Sequence, residues 1–140
     1  MRAVSAGKDN MTSTVRELRL VITVDDFEEA LAFWRDSMGL KEQLSVGDDD
    51  GHVAILGAGI ATLEISDKKH AEFIDKIEVG RVVGGQFRVA LRFDDVPAAT
   101  DRLEAAGAKV LGTPRPTPFR STNSRLEAPD GVQLTLFDAE

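Results

Sequence analysis

The sequence predicts an α+β domain: two tandem βαβββ modules forming one curved mixed sheet, helices outside, around a concave cavity. Three observations carry this. "VDDFEEALAF" (Val24 to Phe33) and "FDDVPAATDR" (Phe93 to Arg102) match each other, an internal repeat. Each follows an alternating segment, "LRLVITV" in the first half and "FRVALRF" in the second. Each is followed by three strand-like runs separated by turn residues. A four-stranded sheet with one helix covers one of its faces. Two copies side by side leave a concave face, where a ligand fits.

In the first strand Leu18, Leu20, Ile22 and Val24 alternate with Arg19, Val21 and Thr23. The pairs Asp25–Asp26 and Asp94–Asp95 supply helix N-caps, and Glu28 and Glu29 suit the positive end of the helix dipole. Phe27, Ala30, Leu31, Trp34 and Met38 recur at helical spacing, as do Val96, Ala99, Leu103 and Ala106. Pro97 sits early in the second helix, where its missing N–H costs nothing. Gly39 and Gly107 end the helices as left-handed caps. Strands are expected near residues 40–46, 52–56 and 60–66, then 109–113, 121–127 and 132–137. Turns fall at "GDDDG", "GAG", "PRPTP" and "APDG". Module 1 spans about 16–66 and module 2 about 86–138. The connector, 67–85, carries a short helical piece around 70–77, and "VGRVVGG" reads as a hinge. Residues 1–14 are polar and aperiodic and are expected to be disordered, with 15–140 the single domain. Met11 is an alternative start.

A net charge of −7 argues against a nucleic-acid or anionic-membrane partner, since both need a cationic face. With no cysteine there is no disulfide framework, thiol nucleophile or thiolate metal site. No apolar run approaches a membrane span, and the start lacks a secretory h-region, so the expected location is cytoplasmic.

If the apolar alternates pack under the helices, the other set faces the cavity. That set is Arg19, Val21 and Thr23 in one half and Arg88, Ala90 and Arg92 in the other. On the closing strands Thr62, Glu64 and Ser66, and Gln133 and Thr135, join them, with Phe137 on the same parity. Two isolated histidines do not make a metal cluster: His70 reads as an exposed helix residue, and His52 reaches the cavity rim at most. Trp34 reads as core. Phe119, with Arg120 and Asn123 from the loop "TPRPTPFRSTNSR", is a candidate rim contact.

"VITVDDFEEALAFWRDSMGL", "VALRFDDVPAATDRLEAAGAKV" and "LEAPDGVQLTLFD" resemble the vicinal oxygen chelate superfamily over about residues 16–138. That superfamily includes glyoxalase I, the extradiol dioxygenases, and fosfomycin- and bleomycin-resistance proteins. The resemblance implies a homodimer and, in metal-dependent members, a His on the first strand and a Glu on the last strand of each half. Those positions here are Arg19, Glu64, Arg88 and Thr135, so Glu64 alone is a retained ligand type. Arginine stays protonated and does not coordinate a cation. No metal site of the usual kind and no cofactor are therefore expected.

Arg19, Glu64 and Arg88 fit either an ion-pair network holding the halves together or a receptor for an anionic or carbonyl-bearing ligand, with Arg92 nearby. The leading functional expectation is metal-independent binding of a small organic molecule, akin to the bleomycin-resistance branch, by sequestration without chemistry. The alternative is a glyoxalase-like lyase or dioxygenase with a non-standard metal site, for which Glu64 and His52 are the available ligands. A third reading makes Glu64 a general base. Flanking guanidinium groups would lower its pKa, which counts against that role.

Overall fold

The alternation in "LRLVITV" produces a strand with two chemically different faces, β1 (Glu17–Val24), and this strand lies at the middle of an eight-stranded curved sheet. A computed structural model describes residues 14–139; apart from Thr14, the segment 1–14 expected to be disordered, Met11 included, lies outside the described residues. The first module continues with α1 (Phe27–Leu31), β2 (Lys41–Asp48), β3 (Gly51–Ala58) and β4 (Ala61–Asp67). A connecting helix, α2 (Lys68–Glu78), precedes β5 (Phe87–Arg92), α3 (Val96–Ala105), β6 (Lys109–Pro116), β7 (Thr122–Glu127) and β8 (Gln133–Phe137). The strand order is β2-β3-β4-β1-β5-β8-β7-β6. In each module the first and last strands pair in parallel, β1 with β4 and β5 with β8. The modules join through an antiparallel β1–β5 pair, in which Arg19 faces Ala90 and Val21 faces Arg88.

The two faces of β1 divide as their chemistry requires. Leu20, Ile22 and Val24 pack with Phe27, Leu31, Ala54, Leu56, Leu63 and Ile65 under α1. Leu91, Leu126, Leu134 and Leu136 do the same with Phe93, Val96 and Ala99 under α3. On the other face Val21, Ala90 and Phe137 form a small apolar floor. Asp26 and Asp95 cap their helices, accepting from the backbone N–H of Glu29 and Ala98. Gly39 and Gly107 hold the left-handed conformation expected after a helix, at φ 87° and 113°.

Three local expectations change. The first helix widens into a π-type stretch over Ala32–Ser37, with Met38 N–H donating to Phe33. That turn carries Met38 off the apolar stripe, and it is exposed, whereas Trp34 stays against the core. "PRPTP" is not a turn: β6 runs through Pro114 to Pro116, with irregular register, at the sheet edge where a missing N–H is tolerated. The connector helix is longer than expected and capped by Asp67, whose side chain accepts from the N–H of His70. It packs across the concave face of the sheet, opposite to α1 and α3, touching β3, β4 and β6. Among the described residues no helix is long and apolar enough to cross a membrane.

Candidate functional site

The helix α2 divides the concave face into two cavities. The smaller, about 230 Å³, has Arg19, Glu64, Arg88, Thr135 and Phe137 on its sheet side and His70, Ile74 and Glu78 on its α2 side. Leu44, Val46 and Phe119 rim it. The larger, about 670 Å³, lies between α2, the connector and the β1–β5 pair, and Arg88 is the one residue lining both.

Arg19 faces this cleft but is occupied. Its Nε donates to Glu17 at 2.7 Å, and its guanidinium lies 4.7 Å from the centre of the Phe137 ring. Glu17 also accepts from Thr62 at 3.1 Å and stands 3.5 Å from Arg92 Nε. Burial alone would raise the Glu17 carboxyl, but its bond to Arg19 and the charges of Arg19 and Arg92 hold it below the usual glutamate range. Glu17 thus holds Arg19 by a hydrogen bond and faces Arg92 as a countercharge.

Arg88 differs. It donates to the Thr135 hydroxyl at 2.8 Å, and among the described residues it forms no ion pair. Glu64 differs in the opposite sense. Its side chain is 14% exposed, its nearest cationic atom is Arg19 Nη1 at 3.8 Å, and it accepts no hydrogen bond among the described residues. Burial raises the Glu64 carboxyl above the usual range, an effect that the charges of Arg88 and Arg19 reduce and those of Glu78 and Glu17 reinforce. The expectation that flanking guanidinium groups would depress it is corrected: desolvation outweighs them, because neither guanidinium makes a hydrogen bond to it.

Beneath α2 lies a polar cluster that the sequence did not reveal. Arg125, 1% exposed, donates through Nε to Glu78 (2.9 Å) and Thr135 (3.2 Å), and through Nη1 to Asp75 (2.9 Å) and Gln133 (2.8 Å). Thr135 donates to Glu78 at 2.7 Å, and so does Asn123 at 2.8 Å. The second carboxylate oxygen of Asp75 accepts from the N–H groups of Val83 and Gly84, fixing the connector. A buried guanidinium and two buried carboxylates are tolerable here because Arg125 pairs with both and hydroxyl, amide and backbone N–H donors complete the hydrogen bonding of the carboxylate oxygens. Its signal in the sequence is a stripe at helical spacing, His70, Ile74 and Glu78, which marks a buried face of α2.

Of the other candidates, Arg92, Gln133 and His52 do not line the smaller cavity. Arg92 is turned to Glu17; Gln133 is held between Arg125 and the carbonyl of Gly84. His52 lies on the helix face of β3, with Ala54 and Leu56, while Val53 and Ile55 face the cavity. Its ring sits 3.0 Å from Asp67 and 5.4 Å from the Phe27 ring centre. Arg120, at φ 59°, is an exposed turn residue. The reading of His70 as exposed is corrected: it is 6% exposed and faces the cavity between Phe73 and Phe119.

The metal that the resemblance implies finds a poor donor set. Of the four positions two are guanidinium groups, one is a hydroxyl already bonded to Glu78 and Arg88, and one is Glu64. Among the described residues no three His, Asp or Glu side chains cluster as a metal site would require. A divalent cation at this place does not fit.

A two-module curved sheet with a cavity on its concave face, lined from matching positions of both modules, defines the glyoxalase class of fold. The chain belongs to the Glyoxalase/Bleomycin resistance protein/Dioxygenase superfamily, whose family model matches residues 18–136. It is similar to a curated relative, the ethylmalonyl-CoA/methylmalonyl-CoA epimerase of Cereibacter sphaeroides, with 28% identity over 69% of this chain and 75% of the relative. Among solved structures it resembles a hypothetical protein from Bacillus halodurans C-125 (TM-score 0.69, 17% identity, covering 91% of this chain and 96% of that one). It also resembles methylmalonyl-CoA epimerase from Mycobacterium tuberculosis (TM-score 0.65, 22% identity, covering 100% and 93%). These relatives overturn the leading expectation of a bleomycin-resistance-like binder that sequesters without chemistry, because the relatives with a named function are enzymes.

Proposed function

We propose that the protein is an enzyme that moves a proton at a carbon next to a carbonyl group, an epimerase-like reaction on a small acyl compound. The observation that carries this is the meeting in one cavity of Arg88 and Glu64, which among the described residues have, respectively, no carboxylate partner and no hydrogen bond. A cation and an anion each partly withdrawn from water and short of partners are costly, and a substrate relieves both. The carbonyl oxygen lies against the free N–H groups of Arg88. Glu64 takes the proton from the neighbouring carbon, and the electron pair moves onto the oxygen as an enolate, which Arg88 stabilises. Returning the proton to carbon completes the reaction. The raised Glu64 pKa favours this role, since a base is most effective when its pKa approaches the working pH. The names of the relatives supply the first substrates to try, methylmalonyl-CoA and ethylmalonyl-CoA.

The test is solvent exchange. In heavy water the purified protein is expected to exchange the α-proton of at least one of these thioesters, followed by NMR. Arg88→Met is expected to slow exchange from either enantiomer by about 10²-fold or more, and Glu64→Gln to slow it as much from the enantiomer whose α-proton Glu64 takes. Absence of exchange with both compounds, or exchange that survives both substitutions, overturns the assignment.

A further inference from the structure

We propose that His70 is the second proton-transfer group of this cavity, serving the face of the substrate opposite to the one Glu64 serves. The inference rests on the proton-transfer reading above and deepens it. Glu64 reaches the cavity from β4, part of the sheet floor, whereas His70 reaches it from α2, which crosses the concave face as a roof. A planar enolate held against Arg88 therefore lies between a carboxylate on one side and an imidazole on the other. The imidazole is buried to 6% exposure, and its ring nitrogens make no hydrogen bond among the described residues. Its contacts are the Phe73 and Phe119 rings, 6.0 and 6.3 Å away between centres. A buried histidine serving only as a fold element normally ties at least one ring nitrogen to a partner. This one leaves its ring nitrogens to the cavity.

The backbone holds the residue in place independently of its ring. Its N–H donates to Asp67 at 2.8 Å, which anchors the first turn of α2, and Ile74 one turn on is buried on the same stripe. The charged groups around it come from every neighbouring element: Asp67 at the helix cap, Asp48 at the end of β2, Asp50 from the β2–β3 turn, Arg88 from β5, and Glu64 and Glu78 in the same cavity. Burial lowers the imidazole pKa, aided by Arg88 and opposed by the three aspartates. Burial likewise raises the Glu64 carboxyl, so the proton affinities of the two groups converge.

Proton balance follows from one proton shared between the pair. With Glu64 ionised and His70 protonated, Glu64 takes the α-proton from one enantiomer and His70 gives its proton to the opposite face. The pair is left as a carboxylic acid and a neutral imidazole, ready to process the other enantiomer by the reverse route. No further reactant is needed.

The experiment separates the enantiomers. Each enantiomer of the thioester that the wild-type protein exchanges is incubated alone in heavy water, and both exchange and interconversion are followed. His70→Gln is expected to slow exchange from one enantiomer by about 10²-fold or more, to leave the other within about 3-fold, and to abolish interconversion. Glu64→Gln is expected to show the reverse preference. A merely structural histidine would slow both enantiomers alike, and that result, or no change, overturns the role of His70. If His70→Gln does not fold, His70→Asn replaces it under the same criteria. Failure of the wild-type protein to exchange either enantiomer overturns the proton-transfer reading itself, a different outcome from symmetric slowing.

Discussion

Glu64 bears a cost at every pH at which it is charged, because burial withdraws water from its carboxylate and no hydrogen bond from the described residues replaces it. Its folded-state pKa lies above the ordinary value of 4.5, so the folded protein binds more protons than the unfolded chain between those two values. Stability therefore falls as pH rises through that window, and the penalty is complete above it. Glu64→Gln removes the titration. It is expected to be more stable than wild type at about pH 8, with the difference closing towards about pH 4. Denaturant unfolding across that range measures this, and a difference of the opposite sign would rule it out. A residue whose replacement raises stability while lowering activity is a site residue rather than a scaffold one. Parity alone placed Arg19, Glu64, Arg88, Thr135 and Phe137 on the cavity face, because alternate strand side chains must point to opposite sides. Parity did not show who pairs with whom. Glu17, two residues from Arg19, occupies that arginine and leaves Arg88 free.

The decisive element is α2. Its strand neighbours were legible from alternation, but its role was not, because a helix of charged residues reads as a solvated surface until something polar lies beneath it. Arg125 is what lies beneath, and Asp75 and Glu78 turn inward to meet it. Gly112 on β6 permits the close approach at the other end of the helix. A Cβ there would collide with the backbone of Glu78 and Val79, neither of which is free to yield. Gly112→Ala is expected to cost about 1–3 kcal/mol by forcing α2 off the sheet, and more if the Arg125 network opens with it. Thermal and denaturant unfolding read that loss directly. A change within about 0.5 kcal/mol would show that α2 is loosely held.

At the scale of the molecule the β1–β5 pair makes one sheet of two modules, and Arg19, Glu64, Arg88 and Thr135 meet across that seam. The modules are expected to unfold together. Trp34, the one tryptophan, reports on the first module and far-ultraviolet circular dichroism on both, so the two unfolding curves should coincide. Two separated transitions would mean that the seam is weak and the cavity opens before the fold is lost. The repeat, the order of the elements, the helix caps and the face to which each strand residue points were all legible in the chain. These are local properties, written in alternation, spacing and capping chemistry. Packing between distant elements set the rest: α2 roofs the cavity, His70 is buried while His52 is not, and among the described residues Arg88 has no carboxylate partner. Those outcomes depend on which distant charges meet after folding, and neither period nor composition encodes that.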